Sequence, residues 1–282
     1  MRVTVILSTY NSPQWLEKVI WGYTRQSHQD FDMVVADDGS TPDTAALIRR
    51  LTDQTGLRIS HLWHEDRGFR KCTILNKAVL AAAGDYLVFS DGDCIPRHDF
   101  LEHHVSLAEP GCILSGGAVR LPIELSRRIT VEDVRVGRAT DPSWLRANGL
   151  RNPKYLLRLT YPSLWAKLFG LLSPTRATFN GGNASVWKSD LLDVNGFDER
   201  MEYGGEDREL GERLINAGIR PKQVRHLALC LHLDHPRSYI RQEALRNNWA
   251  IRQESRRNRT TWTEYGIDQH LTDLSTSDSK VA

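Results

Sequence analysis

The first 115 residues alternate between short apolar runs rich in β-branched residues and longer amphipathic stretches. The apolar runs predict strands, and the amphipathic stretches predict the helices between them. We expect strands at 3–7, 33–36, 59–63 and 86–89, and helices at 13–25, 42–53, 71–83 and 97–107. Strands that alternate with helices run parallel, because each helix returns the chain across one face of the sheet. The pattern predicts an α/β fold with a mostly parallel central sheet flanked by helices.

Polar clusters follow three of these predicted strands. They read S-T-Y-N-S at 8–12, D-D-G-S at 37–40 and D-G-D at 91–93. The carboxyl ends of parallel strands meet at one edge of the sheet, where ligands of open α/β folds bind. The three clusters therefore predict a nucleotide pocket at that edge.

Asp91 and Asp93 form the most distinctive of these clusters. On an extended chain their side chains would share one face, and no cationic residue stands between them in the sequence to neutralise the charge. Two carboxylates in that position favour a divalent metal ion. The alternative is a tight turn, because Gly tolerates a positive φ and Asp side chains bond to their own backbone.

The composition is that of an ordinary globular protein, built as one large domain or two closely packed halves. Of its 282 residues 26% are charged and the net charge is +2, which argues against nucleic acid as the main partner. The four cysteines lie far apart, so we expect no zinc cluster and no disulfide framework, and a reducing, cytoplasmic setting. We also expect no signal peptide and no transmembrane span, because the apolar stretch at 161–172 is short and contains Lys167.

The motifs along the chain resemble those of inverting, family 2 type glycosyltransferases of the GT-A fold. The matching segments include V-I-L-S-T-Y-N at 5–11, V-V-A-D-D-G-S at 34–40, H-E-D-R-G-F-R-K-C-T-I-L-N-K-A at 64–78 and D-Y-L-V-F-S-D-G-D-C at 85–94. Further on, F-N-G-G-N at 179–183 and G-F-D-E-R-M-E-Y-G-G-E-D-R-E-L at 196–210 are similar to the acceptor region of galactosyltransferases and chondroitin-polymerase-like enzymes.

This resemblance implies a GT-A, Rossmann-like sheet, a smaller acceptor-binding region and a helical C-terminal tail. Residues 1–120 would form the nucleotide-sugar-binding half, and residues 179–240 the acceptor-binding and catalytic half. A variable connecting region, 121–178, lies between them, and prolines interrupt its pattern. The polar tail, 241–282, is rich in arginine and has the composition of a disordered segment at its end. Its arginines fit either a solvated helix surface or a peripheral contact with anionic lipid.

The resemblance also implies which residues bind the donor. Thr9, Tyr10 and Asp38 would line the nucleoside pocket, with Asp38 facing the uracil or the ribose. The basic segment after the third strand would lie against the base and diphosphate, and the following helix would add one amide; these residues are Arg67, Phe69, Arg70, Lys71 and Asn76. The alternative for the basic segment is a solvated surface loop.

The metal site implied by the resemblance is built on Asp93. Asp91 would contact the ribose or a water of the metal shell, and Asp93 would bind the metal directly. A third ligand would come from His232 or His235, which alternation places on opposite faces if the strand continues, and similar spacing favours His235. Carboxylates together with phosphate oxygens suit Mn²⁺ or Mg²⁺.

The catalytic base implied by the resemblance is Asp207, with Glu206 holding acceptor hydroxyls. Acidic residues are also common in the first turn of a helix, because the helix dipole favours them there. Sugar contacts are expected from glycines, an amide and an aromatic ring near this motif: Gly182, Asn183, Tyr203 and Gly205.

We therefore predict a metal-dependent, inverting glycosyltransferase that moves a hexose or N-acetylhexosamine from a UDP-sugar to a hydroxyl of a glycan or lipid-linked glycan, in surface polysaccharide assembly. One rival is a sugar-nucleotide nucleotidyltransferase, which would need a Gly-rich basic loop where S-T-Y-N-S stands. The other is a non-catalytic nucleotide-sugar or glycan-binding module, which would need neither Asp93 nor Asp207. The sequence leaves the donated sugar, the acceptor, the linkage and the oligomeric state open.

Overall fold

The computed structural model of the chain describes residues 1–161, 165–166, 169, 175–236 and 240–271. Most of the apolar stretch at 161–172 and the end of the tail at 272–282 lie outside these residues. Among the helices in the described parts of the chain, none combines the length and the apolar character needed to cross a lipid bilayer.

Parallel strands form the centre of the molecule. The first four are β1 (Val3–Thr9), β2 (Phe31–Asp37), β3 (Ile59–Trp63) and β4 (Tyr86–Asp91), and they pair in the order β3-β2-β1-β4. Each confirms a predicted strand. Register places Ser8 beside Asp91 and Thr9 beside Asp37, so the polar clusters meet at one edge of the sheet as expected.

Three later strands extend this sheet beyond β4. In spatial order they are β8 (Asn183–Trp187), β6 (Cys112–Ser115) and β9 (Arg220–Gln223). β8 runs antiparallel to both β4 and β6, with Asn183 beside Ser90. This pairing carries the preceding Gly-rich loop, 180–182, to the carboxyl end of β4.

A small second sheet lies next to the end of β4. Its strands, in order, are β5 (Cys94–Pro96), β10 (Leu229–His232) and β7 (Gly117–Arg120). β10 contains His232 at its end, whereas β5 and β7 are too short to show a period of two in the sequence. Register places His232 between Cys94 on one side and Arg120 on the other.

Helices cover both faces of the central sheet. The helices that follow the early strands are α1 (Pro13–Tyr23), α2 (Pro42–Thr55), α3 (Lys71–Ala81) and α4 (Phe100–Ser106). The connecting region holds the short helices α5 (Ile123–Arg128), α6 (Val131–Arg135), α7 (Pro142–Ala147) and α8 (Pro153–Thr160). The last part of the chain adds α9 (Lys188–Asp193), α10 (Glu206–Asn216) and α11 (Gln242–Asn258), and short 3₁₀ turns occur at Arg138–Thr140 and Ile267–His270.

The core is divided by the sheet into two apolar layers. Val5 and Leu7 of β1 face the layer that contains α1 and α2, whereas Ile6 faces the layer that contains α3 and α10. All three side chains are fully buried. Burial of such a side chain contributes about 1.5–3 kcal/mol, so both faces of the sheet fix the position of its carboxyl edge.

Candidate active site

A cavity of about 1010 Å³ opens at the carboxyl edge of β1 to β4. Most of the predicted site residues line it: Thr9, Tyr10, Asp38, Phe69, Lys71, Asp91, Asp93, Gly182, Tyr203, Gly205, Glu206, Asp207, His232 and His235. Four others do not form part of its wall, namely Arg67, Arg70, Asn76 and Asn183.

Asp38 organises one end of the cavity. It is buried, its Oδ1 lies 2.7 Å from Nε2 of His64, and its Oδ2 accepts a hydrogen bond of 3.0 Å from the backbone N–H of Arg70. Both carboxylate oxygens therefore fasten the 64–70 segment to the end of β2. Nearby, Oγ1 of Thr9 is buried without a hydrogen-bond partner among the described residues. A buried polar atom of this kind is usually satisfied by a ligand or by water.

The 64–70 segment turns its guanidinium groups away from the cavity. Arg67 is exposed and pairs with Glu65 at 2.7 Å, and Arg70 donates to the Glu65 carbonyl at 2.5 Å. Contrary to expectation, the structure therefore does not bring these two arginines to the donor pocket. Each of them contacts Glu65 of the same segment instead. Phe69 does line the cavity, and its ring packs edge-on against Tyr203 with 6.1 Å between centroids.

Lys71, which lies outside the D-G-D motif, neutralises Asp91. Its Nζ lies 2.7 Å from Asp91 Oδ1, and the hydroxyl of Ser8 donates to the same oxygen at 2.6 Å. The pKa of Lys71 is raised, because attraction from Asp91 and Glu206 outweighs the opposite effect of burial. A β-carbon on Gly182 would come within 2.7 Å of Asp91 Oδ2, so a larger residue here would displace the Asp91 carboxylate.

Asp93 belongs to a different cluster. Its Oδ2 lies 2.9 Å from Nε2 of His235 and 3.7 Å from Nε2 of His232. Both histidines reach it because β10 ends at His232, so the alternation expected from a continuous strand does not apply. Burial would raise the pKa of Asp93, but the hydrogen bond from His235 and the proximity of both imidazoles lower it below its ordinary value. Asp91 makes its contacts elsewhere and is not a member of this cluster.

The donor atoms around Asp93 suit a divalent ion. One ligand atom each of Asp93, Cys94 and His232 lie within 4.8 Å of one another. A hydrogen bond to Cys230 and burial raise the pKa of the Cys94 thiol, and a thiolate would in any case be a soft ligand. The Asp93 carboxylate and the two imidazoles supply oxygen and nitrogen donors. This set of donors suits Mn²⁺ better than it suits a soft metal ion.

Two asparagines expected to bind the donor are fully buried. Asn76 donates from Nδ2 to the carbonyl of Phe197 at 2.9 Å and accepts from the N–H of Phe197 at 2.8 Å. Oδ1 of Asn183 lies 2.9 Å from Nε2 of His104, and its Nδ2 donates to two backbone carbonyls next to β7 and β10. These amides hold loops together instead of facing the cavity. A sequence motif alone does not distinguish these two roles.

Asp207 and Glu206 begin α10 and line the cavity from this helix. Gly205 precedes them with a φ of 96°, a left-handed conformation that favours glycine and turns the chain into the helix. Oδ2 of Asp207 accepts a hydrogen bond of 3.3 Å from the N–H of Gly181. Burial raises the pKa of both carboxyl groups, and for Glu206 this outweighs the opposing charge of Lys71. A carboxylate with a raised pKa is a better proton acceptor.

Helix α11 adds a part of the site that the sequence analysis assigned to a separate tail. Asn248 is buried and donates to the carbonyls of Glu202 at 2.8 Å and Gly204 at 3.2 Å. Arg241 and Arg252 of this region line the cavity. No signal in the sequence distinguishes Asn248 from Asn247 and Asn258 of the same helix, so this packing could not have been predicted.

Family comparisons agree with this architecture. Residues 4–156 match the model of glycosyl transferase family 2, and residues 166–236 match the model described as the N-terminal domain of galactosyltransferase. The first match covers more than half of the chain and contains β1 to β4 with the polar clusters at their ends.

Individual relatives share moderate identity with the chain. Validoxylamine A glucosyltransferase of Streptomyces hygroscopicus subsp. jinggangensis is 29% identical over 84% of this chain and 56% of that protein. Chondroitin synthase of Escherichia coli is 24% identical over 83% of this chain and 35% of that protein. The chain thus spans about half the length, or less, of these relatives.

Solved structures share the fold. The mannosyltransferase PcManGT from Pyrobaculum calidifontis, in complex with GDP-Man and Mn²⁺, has a TM-score of 0.56 at 22% identity over 90% of this chain and 61% of that chain. Residues 1–349 of S. aureus TarS, in complex with UDP, have a TM-score of 0.58 at 17% identity over 100% of this chain and 73% of that chain. With the GT-A-type sheet, the cavity at its carboxyl edge and the match over residues 4–156, the chain belongs to glycosyl transferase family 2.

Proposed function

We propose that the chain transfers a hexose or N-acetylhexosamine from a UDP-sugar to a hydroxyl of a glycan or lipid-linked glycan, with inversion and with a divalent metal ion. One observation carries this proposal. Asp93 with its two histidines and Asp207 with its raised pKa line the same cavity from different elements, β4–β10 and α10. A displacement reaction needs this separation of the group that receives the leaving diphosphate from the group that activates the nucleophile.

Asp207 is the general base in this proposal. An acceptor hydroxyl is a poor nucleophile, so a carboxylate within hydrogen-bond reach must take its proton as the new bond to the anomeric carbon forms. The N–H of Gly181 holds one oxygen of Asp207 in place. Glu206, whose carboxylate accepts from the N–H of Gly204 at 2.9 Å, fixes the glycine loop next to it. Attack from the face opposite the leaving group inverts the anomeric centre.

Asp93, His232 and His235 would hold the metal ion. When bound, such an ion stabilises the negative charge that develops on the departing diphosphate. Lys71 and Ser8 meanwhile keep Asp91 in a fixed position at the floor of the cavity. In this proposal Asp91 would accept a hydrogen bond from a ribose hydroxyl, and the missing side chain at Gly182 would let the donor pass close to the backbone.

The choice of donor is supported by the structural neighbours. S. aureus TarS has been solved with UDP and with UDP-GlcNAc, and PcManGT with GDP-Man and Mn²⁺. Thr9 with its unsatisfied hydroxyl, Tyr10 and Asp38 form the end of the cavity where the nucleoside would bind. We favour uridine over guanosine here because of the resemblance to galactosyltransferases. We also propose that transfer serves surface polysaccharide assembly on the cytoplasmic side of the membrane.

Two substitutions test the proposal. Asp207→Asn keeps the size of the side chain and removes the base, so we expect UDP binding in Mn²⁺ to be retained and sugar transfer to fall by about 10²-fold or more. Asp93→Ala removes the central metal ligand, so UDP should bind more weakly in Mn²⁺ while the value in EDTA changes little. Isothermal titration with UDP and a UDP-release assay with a panel of UDP-sugars measure both effects.

Asp193→Asn is the matched control, because Asp193 is exposed on α9 and does not line the cavity. It should behave as the wild type in both assays. Transfer by Asp207→Asn at the wild-type rate would show that another group is the base. UDP binding that is equal in Mn²⁺ and in EDTA would show that donor binding does not use the metal site.

A further inference from the structure

Three arginines line the cavity on the side of Asp207, and nothing in the proposed reaction uses them: Arg208, Arg241 and Arg252. We propose that they form a subsite for an anionic group of the acceptor, either the carboxylate of a uronic acid or a phosphate ester. The inference rests on the proposed function, because it names the class of acceptor for the same site.

Arg208 provides the most available of the three guanidinium groups. It is exposed, lines the cavity and follows Asp207 directly in the chain. Among the described residues its side chain has no hydrogen-bond or ion-pair partner. An unpaired guanidinium next to the base is in a position to contact the same molecule whose hydroxyl the base activates.

The other two arginines are only partly occupied by their glutamate partners. Arg252 and Arg256 both donate to the same oxygen of Glu212 at 2.6 Å, so one carboxylate serves two guanidinium groups. Arg241 pairs with Glu202 at 3.1 Å, but its side chain is 62% exposed, which leaves most of its donors accessible. Nε of Arg252 is also buried without a hydrogen-bond partner among the described residues.

Helix α11 fixes these groups relative to the base. Asn248 binds the carbonyls of Glu202 and Gly204, which lie just before Asp207 in the chain. The side chain of Arg252 passes so close to Gly205 that a β-carbon there would lie 3.1 Å from its Cδ. Because this loop also carries the base, a ligand bound to the arginines would be the acceptor. The diphosphate of the donor belongs at the other wall, next to Asp93.

The chemistry of guanidinium groups selects the ligand. Their planar N–H donors match the two oxygens of a carboxylate or a phosphate and bind them more strongly than neutral hydroxyls. A glycan with a uronic acid and a glycan with a phosphodiester or phosphomonoester present the same feature. A neutral glycan offers only hydroxyl groups, which are weaker partners for a guanidinium.

Binding of simple probes tests this subsite. We would titrate the protein, saturated with UDP and Mg²⁺ so that the diphosphate site is filled, with methyl β-glucuronide, methyl β-glucoside and a hexose 6-phosphate, and follow binding by saturation-transfer NMR. At least one of the two anions should bind about tenfold or more tightly than the glucoside. The stronger of the two anions identifies the source of the negative charge.

The double variant R208Q/R241Q should reduce this preference to within about twofold, since both substitutions remove a charge from exposed side chains without removing packing. R257Q is the control, because Arg257 is exposed on the same helix and does not line the cavity. Equal binding of both anions and the glucoside, or a preference that R208Q/R241Q leaves intact, would overturn the proposal. Titration of UDP alone in Mg²⁺ or Mn²⁺ separates this outcome from failure of the proposed function, because donor binding does not need the arginines.

Discussion

His104 gives a quantitative test of how the floor of the cavity is held. The side chain is fully buried, with Nδ1 2.7 Å from Oγ of Ser185 and Nε2 2.9 Å from Oδ1 of Asn183. Burial lowers the pKa of His104 from 6.5 to about 4. The imidazole is therefore neutral in the folded protein at every pH where the protein is expected to work.

As a consequence, the free energy of unfolding should decrease as the pH is lowered. Between pH 6.5 and about 4 the unfolded chain takes up a proton at His104 that the folded chain excludes, so the stabilising effect of the neutral ring is complete above pH 6.5 and is lost as the pH falls. For these two pKa values, linkage gives a loss of about 2 kcal/mol between pH 7.5 and pH 5, and about 3 kcal/mol in the limit of low pH.

His104→Gln isolates this contribution, because glutamine keeps a hydrogen-bond donor and an acceptor but does not titrate. Urea unfolding, followed by tryptophan fluorescence at pH 7.5 and at pH 5, gives the change in free energy of unfolding for each protein. The change should be about 2 kcal/mol smaller in the variant than in the wild type. The pKa of His226 is also lowered, by burial, to about 4, but its effect is common to both proteins and cancels.

His28→Gln is the matched control, since His28 contacts the backbone carbonyl of Asp30 at an exposed position. It should leave the wild-type pH dependence unchanged. If His104→Gln shows the same loss of stability between pH 7.5 and pH 5 as the wild type, His104 takes up its proton in the folded state. The argument for a neutral ring that holds Asn183 and the adjoining Gly-rich loop would then be refuted.

Three further substitutions probe the walls of the cavity. Gly182→Ala would place a methyl group 2.7 Å from Asp91 Oδ2, so we expect UDP affinity to fall by about tenfold with little loss of stability, measured by titration and urea unfolding. Lys71→Met removes the 2.7 Å ion pair and leaves the part-buried Asp91 uncompensated; unfolding experiments should show a loss of about 1–3 kcal/mol, and transfer assays a strong loss of activity. Asn76→Ala should destabilise the fold by about 2–4 kcal/mol, yet UDP affinity measured on the folded protein should equal that of the wild type, and a selective loss of UDP binding would contradict its structural role.

The sequence predicts the sheet better than it predicts the contacts at its edge. The strands β1 to β4 could be located because each is a distinct apolar run followed by a helix, and parallel pairing then brings their ends together. The short strands β5 to β7 could not, because three or four residues do not show a period. Without β5 and β7, the sequence gives no reason to expect His232 between Cys94 and Arg120.

The direction of each side chain also depends on partners that are distant in the chain. Asn76 lies in a matching motif, but its amide is occupied by the backbone of Phe197, 121 residues later. Arg67 pairs with Glu65, two residues earlier in the same loop, instead of lining the cavity. Asp207 and Asp93, in contrast, line the cavity, and their partners lie in its wall as well. Motifs therefore predicted which loops form the site, and packing decided which of their side chains face it.

The distribution of charge also explains why a metal ion would be needed. Lys71 is committed to Asp91, so it cannot also balance the carboxylate of Asp93. Near that carboxylate, Arg120 is the cation that register places beside His232. The summed charge of a doubly negative diphosphate, the Asp93 carboxylate and Arg120 would be about −2. In a cavity that is partly shielded from water, this excess of negative charge opposes donor binding. A divalent ion held by Asp93 and the histidines would offset it. Donor affinity should therefore depend on the metal most strongly at low ionic strength, where the remaining charges are least screened.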